Sequence, residues 1–358
     1  MSQPFRLNKE GLINRNKKIS FTFNGKKLFG YEGDTIASAL IANGIHLVGR
    51  SFKYHRPRGF FGAGVEEPNA KLQVEFNGHS EPNVNATEME LVEGLSATSQ
   101  NCWPSVNFDI GAINNFLKMF FPAGFYYKTF MWPKSFWYKI YEPFIRKAAG
   151  LGVASIEKDK ERYEHKFEYC DLLVTGSGPS GLASAYAAAK NGAKVILAED
   201  KPRFGGTLLT DDVSIDNLSG KDWAEKIISE LKSMPNVTVK NRSQVFGYYD
   251  HNMLVMFERV SDHLEKKSKF TPRQRLWYIR AKETILSTGS IERPIVFGNN
   301  DTPGIFLSAA AKEYMKVYGV LVGKKPLIFT NNDSAYETAL EFKKNNVEPI
   351  ILDTREEH

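Results

Sequence analysis

Cysteine is nearly absent from this chain, with only Cys102 and Cys170 among 358 residues. A disulfide framework and a cysteine-held metal cluster are both excluded, and the scarcity fits a reducing, cytoplasmic compartment. Histidine offers no alternative: His46, His55, His79, His165, His251, His263 and His358 have no ligand-like spacing, so no metal site is expected. No uninterrupted apolar run is long enough to span a bilayer, so no membrane partner is expected. The opening stretch MSQPFRLNKEGLINRNKK lacks the apolar core and small-residue cleavage site of a secretory signal. The formal charge of +6 comes from 47 basic and 41 acidic residues that are interspersed, with basic runs as short as Lys17-Lys18 and Lys266-Lys267. That is a solvated surface and not a nucleic-acid footprint.

A hydrophobic content of 42% over this length supplies two or three domain cores. Residues 18–29, KISFTFNGKKLF, read as two strands turning at Asn24-Gly25, a dipeptide that tolerates positive φ. Gly33-Asp34-Thr35 then caps a helix from Ile36 to Asn43 that stops at Gly44. Strands over Lys71 to Phe76 and Glu88 to Glu93 complete a small β-grasp domain, drawn as residues 1–104.

After the first helix, GRSFKYHRPRGFFGAGVEEPNA occupies the place where plant-type ferredoxins carry the loop around a two-iron cluster, with spacing C-x4-C-x2-C. Laid on FGAGVEEPN, that spacing falls on Phe61, Glu66 and Asn69. None replaces a thiolate, so a cradle without its cluster is expected. The basic segment Lys53, His55, Arg56 and Arg58 suits an anionic group such as a flavin phosphate, a partner's carboxylates, or an ordinary surface loop.

Residues 105–168 form an aromatic-rich helical connector broken by Pro122, Pro133 and Pro143. It reads either as a helical pair packed on the neighbouring domain or as an exposed apolar strip for a partner protein.

From Asp171, DLLVTGSGPSGLASAYAAAKNGAKVILAED gives an apolar strand, a glycine turn, an alanine-rich helix and a second strand ending in an acid. Gly176 permits the tight turn, Gly178 lets the backbone approach a pyrophosphate, and Gly181 lets helix and strand pack closely. The helix start near Ser180 faces the phosphates with free N–H groups and the positive dipole end. Glu199 ends the second strand, where a carboxylate accepts hydrogen bonds from a ribose 2′-hydroxyl and disfavours a 2′-phosphate. NAD or FAD is therefore expected in preference to NADP. The doublet Gly205-Gly206, followed by Thr207, is either a second close-approach site or a plain tight turn. Strands over Val237 to Val245, Met253 to Arg259 and ETIL before Ser287-Thr288-Gly289 would finish this domain, drawn as 169–323, with Val245 offering backbone to an adenine.

Residues 324–358 repeat the pattern without its glycines: Thr330, Asn332 and Ala335 stand opposite Gly176, Gly178 and Gly181, and Asp353 stands opposite Glu199. Two strands do not make a covered sheet, so the chain reads as the N-terminal part of a longer polypeptide. The fold class is thus α/β: a ferredoxin-like β-grasp domain without cluster, then a Rossmann-type two-dinucleotide-binding-domain fold with a truncated second copy.

In order along the chain, VGRSFKYHRPRG, GVEEPNA, AGFYYKTFMWP, YEPFIRKAAGLG, GSGPSGLASA, FGGTLL, STGSIERP and NNDTPGIFLS closely resemble the alpha subunit of heterotetrameric sarcosine oxidase. The resemblance implies a cluster-less ferredoxin-like domain, an NAD-binding Rossmann domain and, beyond these residues, a folate-binding domain. It implies a complex with beta, gamma and delta subunits that oxidises sarcosine to glycine and hydrogen peroxide and delivers a one-carbon unit to tetrahydrofolate. FAD would lie in the beta subunit, FMN at the alpha–beta interface, and NAD here, held by Ser180, Glu199, Asp200, Lys201, Thr207 and the Val245 backbone. No acid, base or nucleophile in the sequence stands out as carrying amine oxidation. Related opine oxidases and secondary-amine dehydrogenases share such alpha subunits, and a scaffold with a purely structural nucleotide is the reading from another class.

Overall fold

The structure is a computed structural model that describes residues 2–76, 78–120, 124 and 129–356. Of the features named above, Pro122, residues 125–128 and His358 lie outside the described residues. The chain divides into two compact units, one formed by Met1–Asp159 with Arg293–His358 and the other by Lys160–Glu292.

The first unit opens with strands β1 (Asn14–Phe23) and β2 (Lys26–Glu32). Asn24 and Gly25 between them both take positive φ, 49° and 76°, as the Asn-Gly pair predicts for a two-residue hairpin turn. Ile19, Phe21 and Phe23 point inward on alternate positions. Helix α1 (Ile36–Ala42) is completely buried and starts in a reciprocal cap: the Thr35 hydroxyl accepts from Ser38 N–H, and the Ser38 hydroxyl accepts from Thr35 N–H. Strands β3 (Lys71–Phe76), β4 (His79–Asn85) and β5 (Ser96–Ser99) complete a mixed sheet of order β2-β1-β5-β3-β4. The strand expected over Glu88 to Glu93 is not there. Glu88 N–H and Met89 N–H both return to the Asn85 carbonyl at 3.1 and 3.2 Å, so the chain turns here; it makes a single antiparallel bridge, Glu90 with Thr35, and re-enters the sheet as a strand only at Ser96.

In the connector the described residues form short helical turns, Ile110–Ala112, Ile113–Phe116 and Lys118–Phe120, and a helix over Trp137–Tyr141 and Glu142–Ala149. Phe116, Met119, Trp132 and Tyr138 are all more than four-fifths exposed, so the packed helical pair is not formed among these residues and an apolar strip is displayed.

The second unit is a sheet flanked by helices. Its elements are β6 (Tyr163–Thr175), α2 (Pro179–Lys190), β7 (Val195–Ala198), α3 (Gly220–Ser233), β8 (Val237–Lys240), β9 (Ser243–Tyr249), β10 (Met253–Arg259) and β11 (Gln274–Leu286). The order is β8-β7-β6-β11-β10-β9, with β8, β7, β6 and β11 parallel and the last two antiparallel. Leu172, Val174 and Leu197 meet Leu182, Ala185, Trp223, Ile227 and Leu231 of the two helices on one face. Residues on the other parity, Cys170, Leu173, Ile196 and Ala198, join Leu254, Met256 and Ile279 in a separate core. Burial on both faces is why β7 reads as an unbroken apolar run.

The chain returns to the first unit with α4 (Ser308–Lys316), β12 (Leu327–Thr330), α5 (Ser334–Lys344) and β13 (Ile350–Asp353). Strands β12 and β13 pair in parallel from Leu327↔Ile350 to Thr330↔Asp353, giving the repeated strand-turn-helix-strand order. The stretch 293–322, drawn above with the nucleotide domain, contacts the N-terminal unit. Asp301 pairs with Arg56 and Arg58, Leu307 N–H donates to the Phe61 carbonyl at 2.9 Å, and the Tyr314 hydroxyl donates to that of Gly62 at 3.0 Å.

Candidate functional site

Strand β6 runs directly into the glycine turn, and the three glycines have three different environments. Gly176 has φ +95°, and a methyl group there would meet the Ser287 carbonyl oxygen at 2.2 Å. A methyl at Gly181 would meet the Gly176 carbonyl oxygen at 2.0 Å, so this glycine sets how closely α2 approaches β6. At Gly178 a methyl would meet nothing within 4 Å. The first two glycines serve protein packing, whereas the third borders open space at the helix start, the place a pyrophosphate needs.

Gly178 caps α2 without a side-chain hydrogen bond and Pro179 occupies the first turn. The first helical bond runs from Leu182 N–H to the Gly178 carbonyl, leaving the Ser180 and Gly181 amides without a helical acceptor. Ser180 itself is exposed. Such amides, with the positive helix end, have the chemistry that an anion would need.

Glu199 lies at the end of β7, only 5% exposed. Its Oε2 accepts from the Ser177 amide (2.9 Å) and hydroxyl (2.5 Å), and its Oε1 from the Lys201 amide (3.0 Å). Burial, then hydrogen bonding and repulsion from the adjacent Asp200, push the Glu199 carboxyl up to about 7 against the pull of Ser177 and Lys201. The Ser177 hydroxyl also accepts from Gly205 N–H at 3.0 Å, and a methyl on Gly206 (φ +54°) would come within 3.0 Å of Gly178 Cα. The doublet is thus a close-approach site packed against the first turn. Thr207 follows, exposed, on a short turn, Gly206–Leu209, whose Leu208 is buried. Ser243 N–H donates to the Glu199 carbonyl at 2.7 Å, which starts β9 beside the acid and brings Val245 two residues further along, just before a bulge. Gly176, Gly178, Ser180, Gly181, Glu199, Asp200, Lys201, Gly206 and Thr207 therefore surround one turn, with Val245 on the strand leaving it. Ser177, the hub of this network, escaped the sequence reading; it occupies the variable position of the motif, and only its burial singles it out.

The second copy is closed by its own side chains. Asn332 Oδ1 accepts from the Ser334 amide and hydroxyl, and Asp353 is held by Arg355 at 2.7 and 3.1 Å and by the Tyr336 hydroxyl at 3.0 Å. The hydrogen bonds from Arg355 keep Asp353 well below the usual carboxylate range. The basic segment is likewise engaged within the chain: Arg56 and Arg58 grip Asp301, and His55 Nδ1 lies 2.6 Å from Asp109.

Two families match. Residues 171–254 match one described as FAD dependent oxidoreductase, and residues 16–102 match a 2Fe-2S iron-sulfur cluster binding domain. Over 98% of its length the chain is 52% identical to the alpha subunit of sarcosine oxidase from Rhizobium meliloti (strain 1021), and over 99% it is 33% identical to that of Corynebacterium sp. (strain U-96). The chain belongs to the family of the sarcosine oxidase alpha subunits. It spans about a third of the length of these relatives, covering 36% and 33% of them. Among solved structures, L-proline dehydrogenase from P. horikoshii is similar in fold, with TM-score 0.65 and 21% identity over 98% of this chain and 56% of that one.

An adenosine diphosphate group fits the turn, because Gly178 is open, the first helix amides have no helical acceptor and a buried acid ends the next strand. A two-iron cluster does not fit the N-terminal loop. Residues 59–70 contain no cysteine, and no cluster of three metal-ligating side chains occurs among the described residues.

Proposed function

We propose that the unit over 160–292 holds NAD by its adenosine diphosphate half, as part of the alpha subunit of a complex that oxidatively demethylates sarcosine. The products would be glycine and hydrogen peroxide, with oxygen as acceptor and the one-carbon unit passed to tetrahydrofolate, all in the cytoplasm. The observation that carries the site is the open face of Gly178 beside the buried Ser177–Glu199 pair. Gly178, Ser180, Gly181 and Gly206 would meet the pyrophosphate, Glu199, Asp200 and Lys201 the adenosine ribose, Thr207 the phosphate side, and the Val245 backbone the adenine. A bound nicotinamide would supply hydride exchange; this chain's residues bind and orient it. FAD and FMN would belong to or border the partner beta subunit, with gamma and delta completing a heterotetramer.

FAD at the turn is the second reading, favoured by the match of residues 171–254 to FAD dependent oxidoreductases. Denaturing the purified full-length protein and identifying the released nucleotide decides between them: a nicotinamide dinucleotide supports the proposal and a flavin overturns it. An opine oxidase polypeptide of Agrobacterium tumefaciens (strain Ach5), 27% identical over 45% of this chain and covered over 33% of its own length, keeps a related secondary amine in view as substrate. Anaerobic addition of sarcosine or an opine, with flavin and nicotinamide absorbance followed together, separates these substrates. A nicotinamide band that never changes would mark the nucleotide as structural.

A further inference from the structure

The N-terminal loop that lacks its cysteines is not an empty cradle. Six main-chain N–H groups converge on two carboxylates inside it. Glu67 Oε2 accepts from Phe61 (2.6 Å) and Gly62 (2.7 Å), while Oε1 accepts from Asn69 (2.7 Å) and Ala70 (3.1 Å). Glu66 uses one oxygen, Oε1, for Ala63 (2.7 Å) and Gly64 (3.0 Å). Glu67 is 1% exposed, and neighbouring buried groups lock the loop: Thr87 Oγ1 donates to the Gly64 carbonyl at 2.6 Å and Tyr314 to that of Gly62.

Burial favours a register one position later than the one read from the sequence. The residues that are buried at C-x4-C-x2-C spacing are Gly62, Glu67 and Ala70, one position later than Phe61, Glu66 and Asn69, which are all partly exposed. The buried carboxylate therefore stands at the middle thiolate position. Backbone amides converging on an interior anion form a nest, and in iron-sulfur loops such amides are satisfied by cluster and thiolate sulfur.

We infer that the Glu67 carboxylate is the built-in anion of this loop, taking over the acceptor role of a cluster's sulfur atoms so that the cradle folds without iron. Two features make the inference testable. All four amides of Glu67 need both oxygens, so Glu67→Gln, with one oxygen and an NH2 group facing two N–H donors, leaves two amides unsatisfied. Glu66 serves its two amides through one oxygen, so Glu66→Gln preserves them.

The experiment is hydrogen exchange in the full-length protein, read on peptides covering residues 59–72. Glu67→Gln is expected to speed exchange at Phe61, Gly62, Asn69 and Ala70 by roughly 10- to 100-fold, the cost of unsatisfied buried donors. Glu66→Gln should leave those four rates unchanged. Unchanged rates in Glu67→Gln, or equal acceleration in both variants, overturns the inference. Should Glu67→Gln fail to fold, Glu67→Asp, which keeps both oxygens, is expected to fold with those amides still protected; its failing alike overturns it.

Discussion

Replacing Glu199 with glutamine separates two opposite demands on one side chain. The carboxyl is 5% exposed and lies beside Asp200, and burial with that neighbour raises it from 4.5 to about 7. Below pH 4.5 the group is protonated in folded and unfolded chains alike. As pH climbs from there through about 7, the unfolded chain ionises while the folded one keeps its proton, so stability is lost across that window and no further above it. A displacement from 4.5 to about 7 is worth about 3 kcal/mol. Wild type should therefore lose about 3 kcal/mol relative to Glu199→Gln across that range. A bound ribose reverses the preference, because hydroxyl donors favour the ionised carboxylate. Nucleotide affinity in the wild type should rise as pH climbs toward about 7, with proton release on binding. The variant should bind roughly 5- to 150-fold more weakly above that pH, from loss of about 1 to 3 kcal/mol in charged hydrogen bonds, and lose the pH dependence. Calorimetric titration of NAD into nucleotide-free protein, between about pH 5 and pH 8 in two buffers of different ionisation heat, measures affinity and proton count together. Equal affinity in both proteins at every pH would refute the assignment of Glu199 to the ribose.

The glycines give a second test. Gly178→Ala should leave the melting temperature nearly unchanged and abolish nucleotide retention, whereas Gly181→Ala, whose methyl would lie 2.0 Å from a carbonyl oxygen, should cost about 1 to 3 kcal/mol of stability. A Gly178→Ala protein as unstable as Gly181→Ala would contradict the open-space argument. Hydrogen bonds from Arg56 hold the Asp301 carboxyl at about 2, against an ordinary 3.8, so its contribution is present above pH 3.8 and is lost as pH falls through about 2. Asp301→Asn should flatten acid unfolding in that window, and an unaltered acid profile would count against the pairing. Burial pushes the Cys170 thiol up to about 12 and raises Cys102 as well, but Cys102 is partly exposed. Alkylation at mildly alkaline pH should modify Cys102 first, and the reverse order would show the β6 core to be open.

Elements whose local signals agree were legible without coordinates. Asn24-Gly25 fixes a hairpin turn, Thr35 caps the first helix, and glycines at 176, 178 and 181 announce a strand-turn-helix. Elements held by distant partners were not. The first residues of β6, YEHKFEY, look like a charged linker, yet pair with Gln274–Arg280 of β11 in unbroken register more than a hundred residues away. Glu88 to Glu93 has strand-like alternation, but Asn85 turns its first two residues and only Glu90 makes a bridge, to Thr35 at the start of the first helix. In the cradle the spacing was legible and its phase was not, because only burial distinguishes Glu67 from Glu66. At the glycine turn the motif residues were readable and Ser177 was hidden, since its hydroxyl matters only once the chain brings Glu199 and Gly205 to it.

Three loops in this chain gather donors that call for an anion, and each carries its own carboxylate, Glu67, Glu199 or Asp353. What differs is the capacity left over. Glu67 spends both oxygens on four amides. Asp353 is closed by Arg355 and Tyr336, over a turn whose glycine positions hold Thr330, Asn332 and Ala335. At Glu199, by contrast, Oε1 accepts from the Lys201 amide and the carboxyl hydrogen-bonds the side chain of the adjacent Asp200, while Gly178 borders open space at the helix start. A carboxylate oxygen accepts more than one hydrogen bond, so this is the loop of the three in which a diol can still be received. Opening the second copy would accordingly take more than removal of Arg355. Arg355→Ala should raise the Asp353 carboxyl toward the ordinary range, visible in its carboxyl NMR shift, without creating nucleotide binding, because Thr330 and Ala335 still carry the side-chain atoms that the first copy omits. Binding of a second nucleotide by that variant would show that the acid alone, and not the glycine turn, decides occupancy.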